Sequence, residues 1–169
     1  MINCKDLKIL HITESTGWSG GTNQALQLAK KLNEKGYINY IASPENGELY
    51  KKAKENLINT INFTPNSKSA IKEGFSLAKI IDEIGFDVIH AHHPKAHNAS
   101  VVAKIFSKTK PILIVSRRVT HPLPSNILAK FKYKTKNVNA YIAVCRHVAK
   151  MLEDYGIERE RIFIVYSGV

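Results

Sequence analysis

Three segments of the chain carry residue types that could do chemistry. The first, TESTGWSGGTNQ (13–24), places Gly20 and Gly21 where helical periodicity begins. Unpaired N–H groups and the helix dipole at such a point favour an anion such as a diphosphate. A glycine pair before a helix also serves as a plain tight turn, and on the residues alone both readings stand. The spacing is neither the GxGxxG dinucleotide fingerprint nor a P-loop ending in GK[ST], which argues against adenine dinucleotides and ATP. Trp18, the only tryptophan, either offers an aromatic face to a sugar or a neighbouring domain or packs into the core.

The second segment, DVIHAHHPKAHNAS (87–100), is rich in histidine. Strand alternation sends His90 and His92 to one side and Ala91 and His93 to the other, with His92 and His93 emerging at the loop. The segment has no HExxH, no carboxylate beside the histidines and no pattern of three ligands, so no metal is expected. Histidine also orients hydroxyls or moves protons near neutral pH, and Lys95 can hold an anionic group. A structural hydrogen bond is the alternative for each histidine. The third segment, SRRVTHPLPSN (116–126), sets Arg117 and Arg118 before His121 and two prolines that stiffen the turn. Paired guanidinium forks suit phosphate or carboxylate, although two adjacent arginines also occur as a bare surface pair. Arg146 and His147 add positive charge further on. These loops show no Ser-His-Asp order, no Cys-His pairing and no pair of carboxylates, which weakens hydrolase readings.

The elements that must position these residues alternate between short β-rich runs and helical stripes, the pattern of a parallel sheet covered on both faces. Strands are predicted at Leu7–Thr13, Ile38–Ala42, Ile58–Phe63, Val88–Ala91, Ile112–Val115, Ala140–Val144 and Ile162–Val165. Helical stripes run through Ala25, Leu28, Ala29 and Leu32; Leu77, Ile80, Ile81 and Ile84; Ala99, Val102, Ala103 and Phe106; and Val148, Met151, Leu152 and Tyr155. Gly36, Gly85 and Gly156 each follow a stripe, as a helix C-terminus prefers. The fold class is therefore α/β: a Rossmann-like, doubly wound parallel sheet of about seven strands with helices on both faces. Ligands of such sheets bind beyond the carboxyl ends of the strands, where all three segments fall.

A chain of 169 residues, 44% hydrophobic and 23% charged, fits one globular domain (1–169). The first residues lack the apolar core of a signal peptide, and the apolar runs are strand-sized rather than the roughly 20 residues of a membrane span. Cys4 and Cys145 are far apart with no CxxC spacing, so a cytoplasmic setting without a disulfide is the simplest reading. The net charge of +11 draws anionic partners. It thickens at Lys130, Lys132, Lys134 and Lys136, interleaved with Phe131 and Tyr133. That run is either a solvated helix face or a patch facing a membrane or an acceptor.

The stretches WSGGTNQALQLAKKLNEKGY, HAHHPKAH and YIAVCRHVAKMLEDYGIERERIFIVYSGV together resemble the family 4 glycosyltransferases of the GT-B fold, along essentially the whole chain. Two positions depart mildly from the family pattern. Cys145 stands for the serine of "IAVS", and Ser167-Gly168 for the usual Asn-Gly. The SRRVTHPLPSN segment followed by Lys132 and Tyr133 looks closest to bacterial members that build lipopolysaccharide or related surface glycans.

The resemblance implies an amino-terminal, acceptor-side domain whose carboxyl-terminal partner domain, which binds the nucleotide sugar and carries a Glu-x7-Glu motif, lies outside this chain, so the fragment alone is expected to be inactive. The implied reaction is transfer, with retention, from a nucleotide diphosphate sugar to a hydroxyl of a glycan or lipid-linked acceptor, with no cofactor and no metal. Gly20 and Gly21 would meet the donor diphosphate, while Trp18 and Ser19 would border the acceptor. Arg118 aligns with the histidine that many members place near the reacting sugar. His92 and Arg118 are thus the catalytic candidates, and His93, Lys95, Arg117 and His121 join the acceptor contacts. Peripheral contact with an anionic inner membrane surface fits the basic charge. The rivals are a sugar-nucleotide epimerase half of the same architecture and a non-catalytic basic binding module. For nucleic acid there is no RNP, helix-turn-helix or zinc-finger signature, and none is expected as a partner.

Overall fold

The computed structural model describes residues 6–64 and 70–166, apart from the side chain of Leu128. Cys4, Ser167 and Gly168, named above, lie outside them. The chain runs β1 (Lys8–Ile12), α1 (Gly20–Glu34), β2 (Ile38–Ser43), α2 (Glu48–Glu55), β3 (Asn59–Asn62), α3 (Ala70–Ile84), β4 (Val88–Ala91), α4 (Pro94–Phe106), β5 (Ile112–Arg117), α5 (Ile127–Lys134), β6 (Ala140–Ala143), α6 (Arg146–Asp154) and β7 (Ile162–Ile164). The seven strands form one sheet in the order β3-β2-β1-β4-β5-β6-β7, with every neighbouring pair parallel. Each predicted strand is present within a few residues of its expected bounds.

A strand buried on both faces reads as a continuous apolar run, and one sheet row here departs from that. Leu10, Ile12, Ile89, Ala91, Leu113 and Val115 are buried in the main core with residues of α3, α4 and α6. Ile41 packs with Ala25, Leu26 and Ala29 of α1 and with Leu49 and Ala53 of α2 in a second cluster. His11 pairs in register with Ile41 on one side and with His90 on the other. Polar rings thus continue, across the centre of the sheet, a row that is aliphatic on β2.

The helix stops fall as expected, with Gly36, Gly85 and Gly156 at φ of +85°, +75° and +94°. Two stripe members are corrected. Leu28 and Phe106 are 37% and 47% exposed. Leu26 takes the inward place in α1, and Phe106 closes the end of α4 by stacking on Phe75 of α3 with ring centroids 3.9 Å apart. Helix α2, with eight residues, is too short to show a repeating stripe, although it falls between β2 and β3 where the alternation places a helix.

Helices α3 and α4 approach closely because Gly74 has no side chain. A Cβ built there would lie 2.2 Å from Val102 Cγ1 and 2.4 Å from Val102 Cβ. Alanine is the better helix former by about 1 kcal/mol, yet the clash demands that the helices part. Gly74→Ala should therefore lower unfolding free energy by about 1–3 kcal/mol in urea titrations, and an unchanged or higher stability would refute this close packing.

Candidate functional site

The strand order reverses direction between β1 and β4, and such a switch point opens a crevice beyond the strand ends. Two helices begin there. Ser19 caps α1 through a reciprocal box: its hydroxyl accepts from Thr22 N–H, and its own N–H donates to Thr22 Oγ1 at 2.8 Å. Gly20 and Gly21 are the first residues of α1, so their N–H groups have no acceptor within the helix. A Cβ on Gly20 would meet open space, whereas one on Gly21 would lie 3.2 Å from His93 Nε2. His93, the N-cap of α4, is held by Thr13 Oγ1 at 2.5 Å.

The amino end of α4 is already occupied by an anion. Glu14 accepts from the backbone N–H groups of Lys95 and Ala96, both at 3.0 Å. No carboxylate was expected near the histidines, because Glu14 is about 80 residues away in sequence. The two helix ends thus differ: one is satisfied internally, and the other, at Gly20 and Gly21, is free to take a ligand.

Behind them lies a chain of buried side chains whose hydrogen bonds can run in only one direction. Asn39 Nδ2 donates to Asn33 Oδ1 and to the Tyr37 carbonyl, which fixes Asn39 Oδ1 as an acceptor facing His11 Nε2 at 3.3 Å. His11 must therefore carry its proton on Nε2 and accept on Nδ1 from His92 Nε2, 3.2 Å away. His92 then accepts on Nδ1 from Arg118, whose guanidinium can only donate, at 3.0 Å. The same tautomers follow from either end. Arg118 is fixed further by Nε donating to Gln24 Oε1 of α1 at 2.6 Å. His90 stacks against His92 with centroids 4.0 Å apart and bonds Ser116 Oγ at 2.8 Å.

The electrostatics agree with neutral rings. Burial lowers His11 to about 4, with the Arg118 charge adding to the effect. Burial also holds His90 and His92 well below the usual range, aided in both by His11 and Arg118 and in His92 by His90 as well. Burial lowers Arg118 to about 10, which leaves it charged at neutral pH. His11, His90 and His92 are the group among the described residues whose ligand atoms, all within 4.8 Å of one another, could hold a metal ion. The lone pairs of His11 Nδ1 and His92 Nδ1 are, however, engaged in the directed chain, and Arg118 sets a positive charge against His92. A cation there would have to break the His11–His92 bond and sit beside the Arg118 charge.

A cleft of about 310 Å³ opens in front of this chain and touches Ser19, Gly21, His92, His93, Arg117 and Arg118. Six of the ten candidate residues thus share one cavity. Gly20 adjoins it, as the residue between Ser19 and Gly21. His121 borders a neighbouring cavity of about 440 Å³ together with Arg117. Trp18 and Lys95 line neither. Trp18 is 44% exposed beside Lys52 of α2, whose Nζ lies 5.0 Å from the ring centroid. His11, Asn39, Glu14 and Gln24 were missed, because their relation to the site is visible only once β1 and α1 lie beside β4.

Buried neutral histidines set a pH limit. In the unfolded chain each takes a proton as pH falls below about 6.5, whereas the folded rings resist until far lower, near 4 for His11. Stability is therefore full above about 6.5 and is lost as pH falls from there toward 4, by about 3 kcal/mol from His11 alone. Urea midpoints should drop clearly between pH 7 and pH 5, and less so in His11→Asn; equal midpoints at the two pH values would contradict buried neutral rings.

Comparison with known proteins places this geometry. The model of Glycosyltransferase Family 4 matches residues 18–169. A glycosyltransferase from Rickettsia africae is 21% identical with a TM-score of 0.78, covering 97% of this chain and 44% of that one. Anabaena Alr3699/HepE, solved in complex with UDP-glucose, is 15% identical with a TM-score of 0.74, over 96% of this chain and 44% of that one. The lipopolysaccharide outer core galactosyltransferase WaaB in its apo form is 15% identical with a TM-score of 0.75, over 96% and 46%. Comparison with curated protein sequences gives no match. The chain thus spans under half the length of these structures and has the fold of the amino-terminal half of a GT-B enzyme. With the family match running through nearly all of its residues, the chain belongs to Glycosyltransferase Family 4.

Proposed function

We propose that this chain is the acceptor-side half of a retaining glycosyltransferase that moves a sugar from a nucleotide diphosphate sugar to a hydroxyl of a glycan or lipid-linked acceptor, in the synthesis of bacterial lipopolysaccharide or a related surface polysaccharide. The observation that carries the reading is the pairing, at the switch point, of the unengaged N–H groups of Gly20 and Gly21 with Arg118. Fixed donors and one rigid positive charge, aimed at where a diphosphate gathers negative charge as it leaves, stabilise departure without reorganising. No metal is required for that step.

A second domain, of a size to match the remaining length of the related structures, completes the reading. It would bring the nucleotide sugar down onto α1, and the cleft would present the acceptor hydroxyl. His92, whose Nδ1 is bonded to Arg118 and whose Nε2 is bonded to His11, positions Arg118 and has no free lone pair to act as a base. A cytoplasmic enzyme at the inner face of the membrane fits the surface of α5. There Ile127 and Phe131, 85% and 60% exposed, stand one helical turn apart with Lys130 and Lys134 exposed beside them. Among the described residues no helix is long and apolar enough to cross a membrane.

The test uses the protein extended by its second domain, offered nucleotide sugars and a lipid-linked acceptor extract. A glycosylated acceptor should form, and Arg118→Ala should lower kcat/KM by about 10²–10³-fold. Free nucleotide without a glycosylated acceptor would point instead to an epimerase, and binding without turnover to a module that only binds. Phe131→Ser with Lys130→Glu should weaken sedimentation with vesicles rich in phosphatidylglycerol at least several-fold; equal sedimentation would remove the membrane contact.

A further inference from the structure

Arg117 ends β5 and Arg118 follows it; their side chains turn to different partners, and only Arg118 belongs to the histidine chain. Arg117 turns toward α4 and α5, and although it is 8% exposed, it has no carboxylate partner among the described residues. Its guanidinium donates to two neutral acceptors, the Tyr133 hydroxyl at 3.4 Å and the His121 carbonyl at 2.5 Å. Its Nε has no partner among the described residues. A buried guanidinium left uncompensated is costly, and a fold retains one where a ligand supplies the missing charge.

The surroundings favour the same ligand. Lys132 Nζ donates to the Pro94 carbonyl at 2.9 Å and borders the same cavity of about 440 Å³ as Arg117 and His121. Nearby on α4, His97 is buried with an unpartnered Nε2. The charges of Arg117 and Lys132 hold the His97 ring neutral, after the larger effect of burial. Among the described residues the carboxylate acting on Lys132 is Glu14, which is spent on the amino end of α4. Positive charge is therefore in excess here, and the Arg117 part of it is buried.

The geometry points to a second oxyanion site, separate from the donor diphosphate, in which Arg117 and Lys132 bind a phosphate or carboxylate carried by the acceptor. This rests on the proposed transferase reading and narrows its substrate to an anionic acceptor. The cavity meets the 310 Å³ cleft at Pro94, Arg117 and Tyr133. An acceptor anchored there by its anionic group can thus extend a sugar hydroxyl toward Gly21 and Arg118. Arginine's planar fork suits both oxyanions, so the two sources are separated by experiment.

Inorganic phosphate, glucose 1-phosphate, glucuronate and neutral glucose would be titrated into the chain at low salt, with binding followed by amide chemical shifts. We expect phosphate and at least one of the two anionic sugars to shift amides around Arg117, with an affinity at least about tenfold above that of glucose. Whichever anionic sugar is preferred identifies the group. Arg117→Gln should weaken phosphate binding at least tenfold and Lys132→Gln severalfold, while Lys136→Gln leaves it within twofold. Lys132→Gln keeps the test decisive should Arg117→Gln fail to fold. Equal binding by the wild type and both cavity variants, or no preference for the anions over glucose, would overturn the site. Sugar transfer by the extended protein that is indifferent to Arg117→Gln would sink this inference and leave the transferase reading standing. A working oxyanion site in a protein that transfers nothing would do the reverse.

Discussion

Arg118 is a positive charge held in a partly buried crevice, and its position depends on histidines that stay unprotonated. The chain Asn39–His11–His92–Arg118 can form in one polarity only, because an amide oxygen terminates it at one end and a guanidinium at the other. A proton added to His92 Nδ1 would face Arg118 directly, and one added to His11 Nδ1 would face His92. Burial and the neighbouring positive charge both exclude that proton. The same constraint explains why aromatic nitrogen-bearing rings, and not aliphatic side chains, fill the central row of the sheet on the α1 side. They pass orientation from the Asn39 amide on β2 to the mouth of the crevice.

Around that fixed charge the two helix ends are handled differently. Glu14 closes the start of α4 from within the protein, while Gly20 and Gly21 leave the start of α1 open beyond the Ser19–Thr22 box. A crevice with one open helix end, one rigid guanidinium and a neutral floor discriminates in favour of an anion arriving from outside the chain. Arg117 turns toward Tyr133 and His121 and borders both cavities, whereas Arg118 turns toward His92 and Gln24.

The sheet was legible in the sequence because each strand is a short β-rich run, distinct in period from the helices, and three of them, β2, β4 and β7, follow a helix stopped by glycine. The stripe failed at Leu28, which borders a small cavity with Gln24 and Arg118, and at Phe106, the last residue of α4. The loops that carry the site were also legible, since in a parallel sheet they gather at one edge. What the sequence hid was everything contributed by spatial neighbours: Glu14 at α4, His11 and Asn39 behind His92, and Gln24 beside Arg118. His92 was expected to act directly, yet it lies 4% exposed with both ring nitrogens bonded. Trp18 and Lys95 fall outside the cleft although they sit beside residues that line it.

The most direct test of this account reads the histidine protons themselves. Long-range ¹⁵N–¹H correlation spectra of the imidazoles at pH 7 should show His11 and His92 neutral and protonated on Nε2, with the same pattern persisting to pH 5.5. A charged ring, or the Nδ1–H tautomer at either position, would break the directed chain and with it the physical basis for holding Arg118 at the mouth of the crevice.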